Sequence, residues 1–133
     1  MIEQEVVTLN LVSSILRQDG HTVMAASDPI EALGIVERQG HNIDLVVTDV
    51  DTTPISGFEF MKRVTGKGID IPVLFTSGSP NLTGVIAATL GDHAVIAKPF
   101  SPSALRKRVG RFLAKRRHRP SAGRESETDI QAA

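Results

Sequence analysis

Two spacings of apolar residues alternate along the chain. Helical spacing of apolar positions fills residues 3–19, and Gly20 after them suits the end of a helix. Short apolar runs rich in β-branched residues are typical of buried strands. The predicted strands lie within 21–26 and over 43–48, 71–76 and 94–97. Capping residues and apolar spacing predict further helices over 27–40, 57–64, 82–90 and 101–115.

Strands that alternate with helices predict the α/β class, with right-handed crossovers and a mostly parallel sheet covered on both faces. At 133 residues the chain has room for one such domain. We assign residues 1–116 to this domain. Residues 117–133 are basic and then polar, and we expect them to form a disordered tail.

Asp49, Thr76 and Lys98 directly follow or close three of the predicted strands. The carboxyl ends of parallel strands meet at one edge of a sheet, so these side chains are expected to converge. Singly, each has an ordinary explanation: a turn cap, a β-branched strand end and a solvated lysine. Together they favour a site where a carboxylate attacks phosphorus, a lysine holds phosphate charge and a hydroxyl donates a hydrogen bond. Such chemistry normally needs Mg²⁺.

Composition narrows the classes of protein that remain. The absence of cysteine excludes disulfides and thiolate metal sites. No apolar run approaches the roughly 20 residues that span a bilayer, and the acidic start is unlike a signal peptide, so we expect a cytoplasmic protein. The net charge of zero hides an asymmetry: residues 1–105 carry 6 basic and 12 acidic residues, whereas residues 106–119 carry 8 basic and no acidic ones.

Several short motifs occur in a characteristic order. They are Leu45–Asp49 followed by Gly57-Phe58-Glu59, Val73–Ser77, Lys98-Pro99-Phe100, and Ala26–Asp28 with Glu31–Leu33. In this order and spacing the chain resembles the receiver domain of bacterial two-component response regulators, of the single-domain, CheY-like kind. The resemblance covers about residues 3–115. It implies a flavodoxin-like, doubly wound parallel sheet with strand order 2-1-3-4-5.

The resemblance also implies a role for each site residue. Asp49 would accept a phosphoryl group from a histidine kinase or phosphotransfer protein, Lys98 would pair with that group, and Thr76 would move to bond it. Mg²⁺ would bind Asp49, Glu3 and the backbone carbonyl of Asp51. The Lys98–Pro99 peptide would be cis. A receiver is a phosphoacceptor signalling domain and not an enzyme.

The start of the chain departs from the family pattern. The acidic pair that organises the metal falls on Glu3 and Gln4, and a neutral glutamine is a poorer partner for Mg²⁺. Only Met1 and Ile2 precede this pair, so the first strand is nearly absent although it is internal in the family's sheet. Either the chain is truncated at its N-terminus, which we prefer, or another chain fills the gap.

Two further departures affect the expected function. Val95 stands where the family usually has an aromatic switch residue, and Pro54 lies one position later than usual in its loop. Phosphorylation is therefore expected to be weak and its readout atypical. The alternative function is a degenerate pseudo-receiver that acts as a phosphorylation-independent interaction or dimerisation module. A small hydrolase with Asp49 as nucleophile is disfavoured because no general base is evident.

A dense basic stretch occupies the end of the last helix and the residues after it. Its members are Arg106, Lys107, Arg108, Arg111, Lys115, Arg116, Arg117 and Arg119. A solvated helix face is the preferred explanation, and an acidic partner, nucleic acid or a membrane surface is the alternative. We expect a downstream target protein at the last helix, allow for a homodimer, and expect no direct DNA binding and no membrane segment.

Overall fold

The computed structural model describes residues 1–117 and 129–131. Its helices and strands alternate through most of the chain. In order they are α1 (Val6–Gln18), β1 (Thr22–Met24), α2 (Pro29–Gln39), β2 (Val46–Asp49), α3 (Gly57–Gly66), β3 (Val73–Ser77), α4 (Pro80–Leu90), β4 (Val95–Ala97), α5 (Pro102–Arg117) and β5 (Asp129–Gln131). Short 3-10 turns at Gly40–Asn42 and Asp92–Ala94 precede β2 and β4.

All strand pairs among the described residues are parallel. β3 lies between β2 and β4, and Asp49 is the register partner of Thr76. β1 pairs with β5 in a separate two-stranded sheet. Ile2 joins the two sheets because it forms parallel bridges with both Ala26 and Thr48. Across the sheet the order is β1, then Ile2 and β5, then β2, β3 and β4. In the family's own numbering this is the flavodoxin-like order 2-1-3-4-5, because Ile2 and β5 take the position of the family's first strand.

Side chains alternate between the two faces of the sheet, as expected for strands buried on both sides. Val46 and Phe75 point to a core shared with α2, α3 and α4. Val47 and Leu74 point to a second core shared with α1 and α5. The predicted doubly wound architecture is confirmed. Within the described residues, every helix is too short or too polar to cross a membrane.

Capping side chains decide where several helices begin. Asp28 accepts from the amide of Ile30, which starts α2 where the sequence predicted. Ser79 accepts from the amide of Leu82 and places Pro80 in the first turn of α4. Helix α4 therefore begins two residues earlier than the predicted residue 82.

The C-terminal region differs from the expectation. Residues 129–131 were expected in a disordered tail, yet they form β5 beside β1. The physical reason is that the backbone of β1 is open on the side that faces β2, and an extended segment satisfies it. Both explanations for the short first strand, truncation of the chain and filling by another chain, stay predictions. In the structure, β5 of the same chain lies beside β1. Helix α5 reaches Arg117, two residues past its predicted end at residue 115, and the rest of the tail lies outside the described residues.

Gly57 makes a tight backbone contact behind Asp49. A Cβ there would lie 2.7 Å from the carbonyl oxygen of Asp49 and 3.1 Å from the Phe75 ring. We expect Gly57→Ala to lower the free energy of unfolding by about 1–3 kcal/mol, because backbone must shift to admit the methyl group. The matched control is Gly66→Ala in the same helix, where nothing lies within 4 Å. That variant should gain about 0.5 kcal/mol in urea denaturation, and an equal loss in both would contradict the steric explanation.

Candidate functional site

Three predicted site residues meet at the carboxyl edge of the sheet. Asp49 ends β2, and its register partner Thr76 lies on β3. Lys98 directly follows β4, and its amide donates to the carbonyl of Ser77 at 2.7 Å. The expected convergence is therefore observed, and it results from the parallel order of the strands.

The ammonium group of Lys98 bridges two carboxylates. Its Nζ donates to Glu3 Oε1 at 2.6 Å and to Asp49 Oδ2 at 3.0 Å. The side chains of Lys98, Glu3 and Asp49 are 26%, 3% and 13% exposed. The sequence predicted a site for Lys98 beside Asp49, but it did not predict the shorter ion pair with Glu3.

Opposing effects act on the pKa of Lys98. Burial favours the neutral amine and lowers the pKa, but hydrogen bonds and charges from Glu3 and Asp49 outweigh it. The net effect raises the pKa of Lys98 above its ordinary value. Lys98 therefore carries its positive charge throughout the neutral pH range.

The second oxygen of each carboxylate is held by a backbone amide. Glu3 Oε2 accepts from the amide of Gln4 at 2.9 Å. Asp49 Oδ1 accepts from the amide of Asp51 at 3.2 Å. Both carboxylates are thus oriented from two sides, and Asp49 is the more exposed of the two.

Gln4 ties the loop after β2 to the start of the chain. Its Nε2 donates to the carbonyl oxygen of Thr53, and its Oε1 accepts from the amide of Thr53 at 3.1 Å. The Thr53 hydroxyl adds a longer contact of 3.4 Å to the same oxygen. Thr53 was missed by the sequence analysis, because nothing in the local pattern marks a backbone group that a distant amide side chain will pair with.

Thr76 carries the one unsatisfied hydroxyl at this edge of the sheet, as far as the described residues go. The residue is fully buried, and its Oγ1 has no hydrogen-bond partner. A buried hydroxyl without a partner costs about 1–3 kcal/mol, so it is poised to gain from any acceptor that enters the site. Thr76 and Asp49 are register partners on neighbouring strands, so both residues lie at the same edge of the sheet.

Comparison with known proteins decides the family. The sequence model of the response regulator receiver domain matches residues 1–110. The chain belongs to the response regulator receiver domain family. Receiver domains are modules of two-component signalling, so the expected family and fold are confirmed.

Relatives with curated names are distant in sequence. A putative two-component response regulator of Arabidopsis thaliana, ARR21, is 30% identical over 107 residues, which cover 80% of this chain and 17% of the relative. The alkaline phosphatase synthesis transcriptional regulatory protein SphR of Synechococcus elongatus is 27% identical and covers 91% of this chain and 50% of the relative. The receiver chain thus spans half or less of the length of these relatives.

Solved receiver structures share the fold. The response regulator receiver domain protein of Clostridium thermocellum superposes with a TM-score of 0.78 at 23% identity and covers 87% of this chain and 93% of that one. The chemotaxis response regulator CheY4 of Vibrio cholerae superposes with a TM-score of 0.73 at 25% identity. The match covers 84% of this chain and 93% of that one.

The carboxylate oxygens at this edge of the sheet are donors of the kind that Mg²⁺ takes in proteins. Glu3 and Asp49 supply two carboxylates at one edge, and a hard divalent cation accepts such oxygens together with waters. Gln4 does not add a third charge, and its amide oxygen is already paired with Thr53. Among the described residues, no group of three or more His, Cys, Asp or Glu side chains could hold a metal.

The segment around Val95 is buried and tied to α5. Val95 is only 5% exposed and packs in the core shared with α4, so it offers no side chain that could swing between core and surface. Arg108 donates to the carbonyl oxygens of Val95 and Asp92. The Lys98–Pro99 peptide is cis, as the resemblance implied, and so is Thr53–Pro54.

Two cations of the basic stretch serve contacts within the receiver domain. Arg106 forms an ion pair with Asp19 at the end of α1, at 3.1 Å. Arg108 is held by the backbone carbonyl oxygens of Asp92 and Val95. Lys107 and Arg111 are exposed. Of these four cations, two contact the domain and two are exposed to solvent, which fits the preferred explanation of a largely solvated helix face.

Replacing Lys98 tests the charge balance of the site. In Lys98→Met the Glu3 and Asp49 carboxylates face each other without a cation, so we expect the free energy of unfolding at pH 7 to fall by about 1–2 kcal/mol, a figure discounted for the partial exposure of Lys98. Adding Glu3→Gln to Lys98→Met should recover part of the loss, because the neutral amide keeps the shape of the side chain and removes one of the two like charges.

Urea denaturation of the single and double variants measures the difference. The matched control is Lys67→Met, which removes an exposed surface pair with Glu37 and should cost less than about 0.5 kcal/mol. A double variant no more stable than Lys98→Met would contradict the repulsion argument.

Proposed function

We propose that this receiver domain accepts a phosphoryl group on Asp49 from a histidine kinase or phosphotransfer protein. The observation that carries the proposal is the Asp49 carboxylate held 3.0 Å from the Lys98 ammonium group, beside a buried Thr76 hydroxyl that has no partner. These are the three functions that an acyl phosphate requires: a nucleophile, a cation and a spare hydrogen-bond donor.

The transfer would proceed by in-line displacement at phosphorus. A carboxylate oxygen of Asp49 forms the new P–O bond while the P–N bond to the donor imidazole breaks, and the imidazole takes up a proton. Lys98 balances charge on the transferred group, and the Thr76 hydroxyl donates to one of its oxygens. Phosphorylation adds a charge of about −1.5 to −2, so Lys98 would turn from Glu3 toward the new group.

The proposal assigns Mg²⁺ to Glu3, Asp49 and the backbone carbonyl of Asp51. The cation, when bound, neutralises charge on the phosphoryl oxygens. Gln4 supplies no charge to it and is engaged with Thr53, which supports a weakened metal site. The chain's own contribution is to orient the two carboxylates through the Gln4 and Asp51 amides.

Intact-mass measurement tests the acceptor directly. After incubation with Mg²⁺ and a small phosphodonor such as acetyl phosphate, we expect one added phosphoryl group per chain. The adduct should be absent in Asp49→Asn, which keeps the shape of the side chain but removes the nucleophilic charge. Asp51→Asn is the matched control, since it changes a neighbouring carboxylate that the proposal does not use as nucleophile, and it should still be modified. The absence of an adduct in the wild-type chain, or its persistence in Asp49→Asn, would refute the proposal.

Restoring an acid at residue 4 tests the metal assignment. We expect Gln4→Asp to bind Mg²⁺ about tenfold more tightly, because an added carboxylate favours a hard divalent cation. Calorimetric titration with Mg²⁺ measures the affinity. Gln4→Ala separates the two effects, since it also breaks the pairing with Thr53 but adds no charge. Equal affinities in both variants would show that residue 4 does not face the metal.

A second candidate function is a pseudo-receiver that binds a protein partner without phosphorylation. The observation that favours it is the satisfied resting site, in which Lys98 already bridges two carboxylates and Gln4 pins the adjacent loop. On either proposal the partner is a protein, and α5 with its exposed Lys107 and Arg111 is the expected contact surface for a target. The cytoplasmic location, the homodimer and the absence of DNA binding stay predictions from the sequence.

A further inference from the structure

The loop that follows β2 is fixed at both ends by backbone hydrogen bonds. At its start the amide of Val50 donates to the carbonyl of Thr76 at 3.0 Å. At its end the amide of Gly57 donates to the carbonyl of Val50 at 2.9 Å, which closes the neck of the loop. We call residues 51–56 between these two bonds the site loop. Its outer part is exposed and depends on further contacts to keep one conformation.

The site loop helps to orient the Asp49 carboxylate. The amide of Asp51 donates to Asp49 Oδ1 at 3.2 Å, so the position of that amide sets one direction of the carboxylate. The next residue, Thr52, is buried, and its hydroxyl donates to the carbonyl of Ile55 at 2.6 Å. A movement of the site loop that displaces Asp51 would therefore also free one oxygen of Asp49.

Gln4 pairs with both backbone polar groups of Thr53, in the middle of the site loop. Its Nε2 donates to the Thr53 carbonyl, and its Oε1 accepts from the Thr53 amide at 3.1 Å. This pairing needs a donor and an acceptor on one side chain, which a primary amide supplies. A glutamate of the same length has acceptors alone and would turn an oxygen toward the Thr53 carbonyl. The pairing therefore depends on the amide group, and not merely on the length of the side chain.

The backbone that carries Gln4 is itself part of the sheet edge. The amide of Glu3 donates to the carbonyl of Ala26 at 3.1 Å, and the amide of Gln4 donates to Glu3 Oε2 at 2.9 Å. The Gln4 side chain thus extends from a fixed point to the site loop. A continuous path of hydrogen bonds and peptide units leads from the sheet through Gln4, Thr53 and Asp51 to Asp49.

The charges of the site make a tightly held cation unfavourable. Glu3 and Asp49 carry two negative charges, Lys98 balances one of them, and Gln4 adds none. Because hard divalent cations are held mainly by carboxylates, this site attracts them weakly. Without a cation on the carbonyl of Asp51, the order of the site loop has to come from the chain's own contacts.

We propose that Gln4 is a positioning residue that orders the site loop in the metal-free state and so keeps Asp49 oriented without Mg²⁺. The amide of Gln4 does for the loop what a cation on the Asp51 carbonyl would otherwise do. This inference rests on the metal assignment of the proposed function, but it does not depend on phosphoryl transfer. It gives the glutamine a role of its own, beyond the loss of a metal-binding charge.

Backbone order parameters from nuclear magnetic resonance relaxation test the metal-free state in EDTA. Gln4→Glu keeps the length and the acceptor of the side chain but lacks the donor to Thr53. We expect order parameters at the Asp51 and Thr52 amides of about 0.85 in the wild-type chain and below about 0.6 in Gln4→Glu. The matched control is Gln18→Glu, the same substitution at the exposed end of α1, which should match the wild-type values. Amides of β3 should stay near about 0.85 in every sample and report that the sheet is folded.

Added Mg²⁺ tests whether the Gln4 amide takes the place of a cation. In the wild-type chain we expect saturating Mg²⁺ to leave the order parameters of the site loop unchanged. In Gln4→Glu it should return them toward about 0.85, because a cation held by the new carboxylate and the Asp51 carbonyl gives the loop a fixed point again. Calorimetric titration of the same variant shows independently whether Mg²⁺ binds.

The outcomes separate the role of Gln4 from the proposed function. A mobile site loop in the metal-free wild-type chain that Mg²⁺ makes rigid would overturn the proposal, and this measurement needs no substitution. A rigid loop in metal-free Gln4→Glu would also overturn it, as would Mg²⁺ that binds this variant without ordering the loop. If Mg²⁺ does not bind at all, the metal assignment fails, and the comparison in EDTA still decides the role of Gln4. No sample contains a phosphodonor, so none of these results depends on whether Asp49 is phosphorylated.

Discussion

The backbone of Met1–Glu3 is the constraint on which the site and the sheet both depend. The amide of Ile2 donates to Val47 at 2.8 Å, and the amide of Asp49 donates to Ile2 at 3.0 Å. On the other side the amide of Glu3 donates to the carbonyl of Ala26 at 3.1 Å, so this segment joins the β1 side of the sheet to β2, β3 and β4. These bonds also hold Glu3 where its carboxylate meets Lys98, a residue 95 positions away in sequence. A local change at the start of the chain therefore acts on the charge balance around Asp49.

The resting site balances one cation against two carboxylates. Lys98 is shared between Glu3 and Asp49, and Gln4 contributes hydrogen bonds to Thr53 instead of a third negative charge. A neutral residue 4 reduces the attraction for a divalent cation, but it also reduces the repulsion that an incoming phosphoryl group meets. These two effects matter only for the first proposed function, because a receiver must form the acyl phosphate. An interaction module need only keep its shape.

The sequence predicted correctly those features that depend on interactions between residues near each other in the chain. Alternating apolar runs predicted the parallel strands, and the capping aspartate and prolines predicted the starts of α2 and α5. The placement of Asp49, Thr76 and Lys98 at one edge followed from the same pattern, because carboxyl ends of parallel strands must converge. The family resemblance added the strand order and a cis peptide at Lys98–Pro99.

The sequence by itself determined the α/β alternation, the two buried faces and the edge that carries the site, because each follows from local periodicity and strand direction. Only the tertiary structure decided that Glu3 shares Lys98 with Asp49, that Gln4 pairs with Thr53, and that Asp129–Gln131 lies beside β1. These pairings join segments far apart in sequence. Lys98 and Glu3 meet through their side chains, the Gln4 side chain meets the backbone of Thr53, and β5 pairs with β1 through backbone groups that every residue carries alike. Local residue patterns do not specify such distant partners, so the pairings appear only once the sheet is assembled.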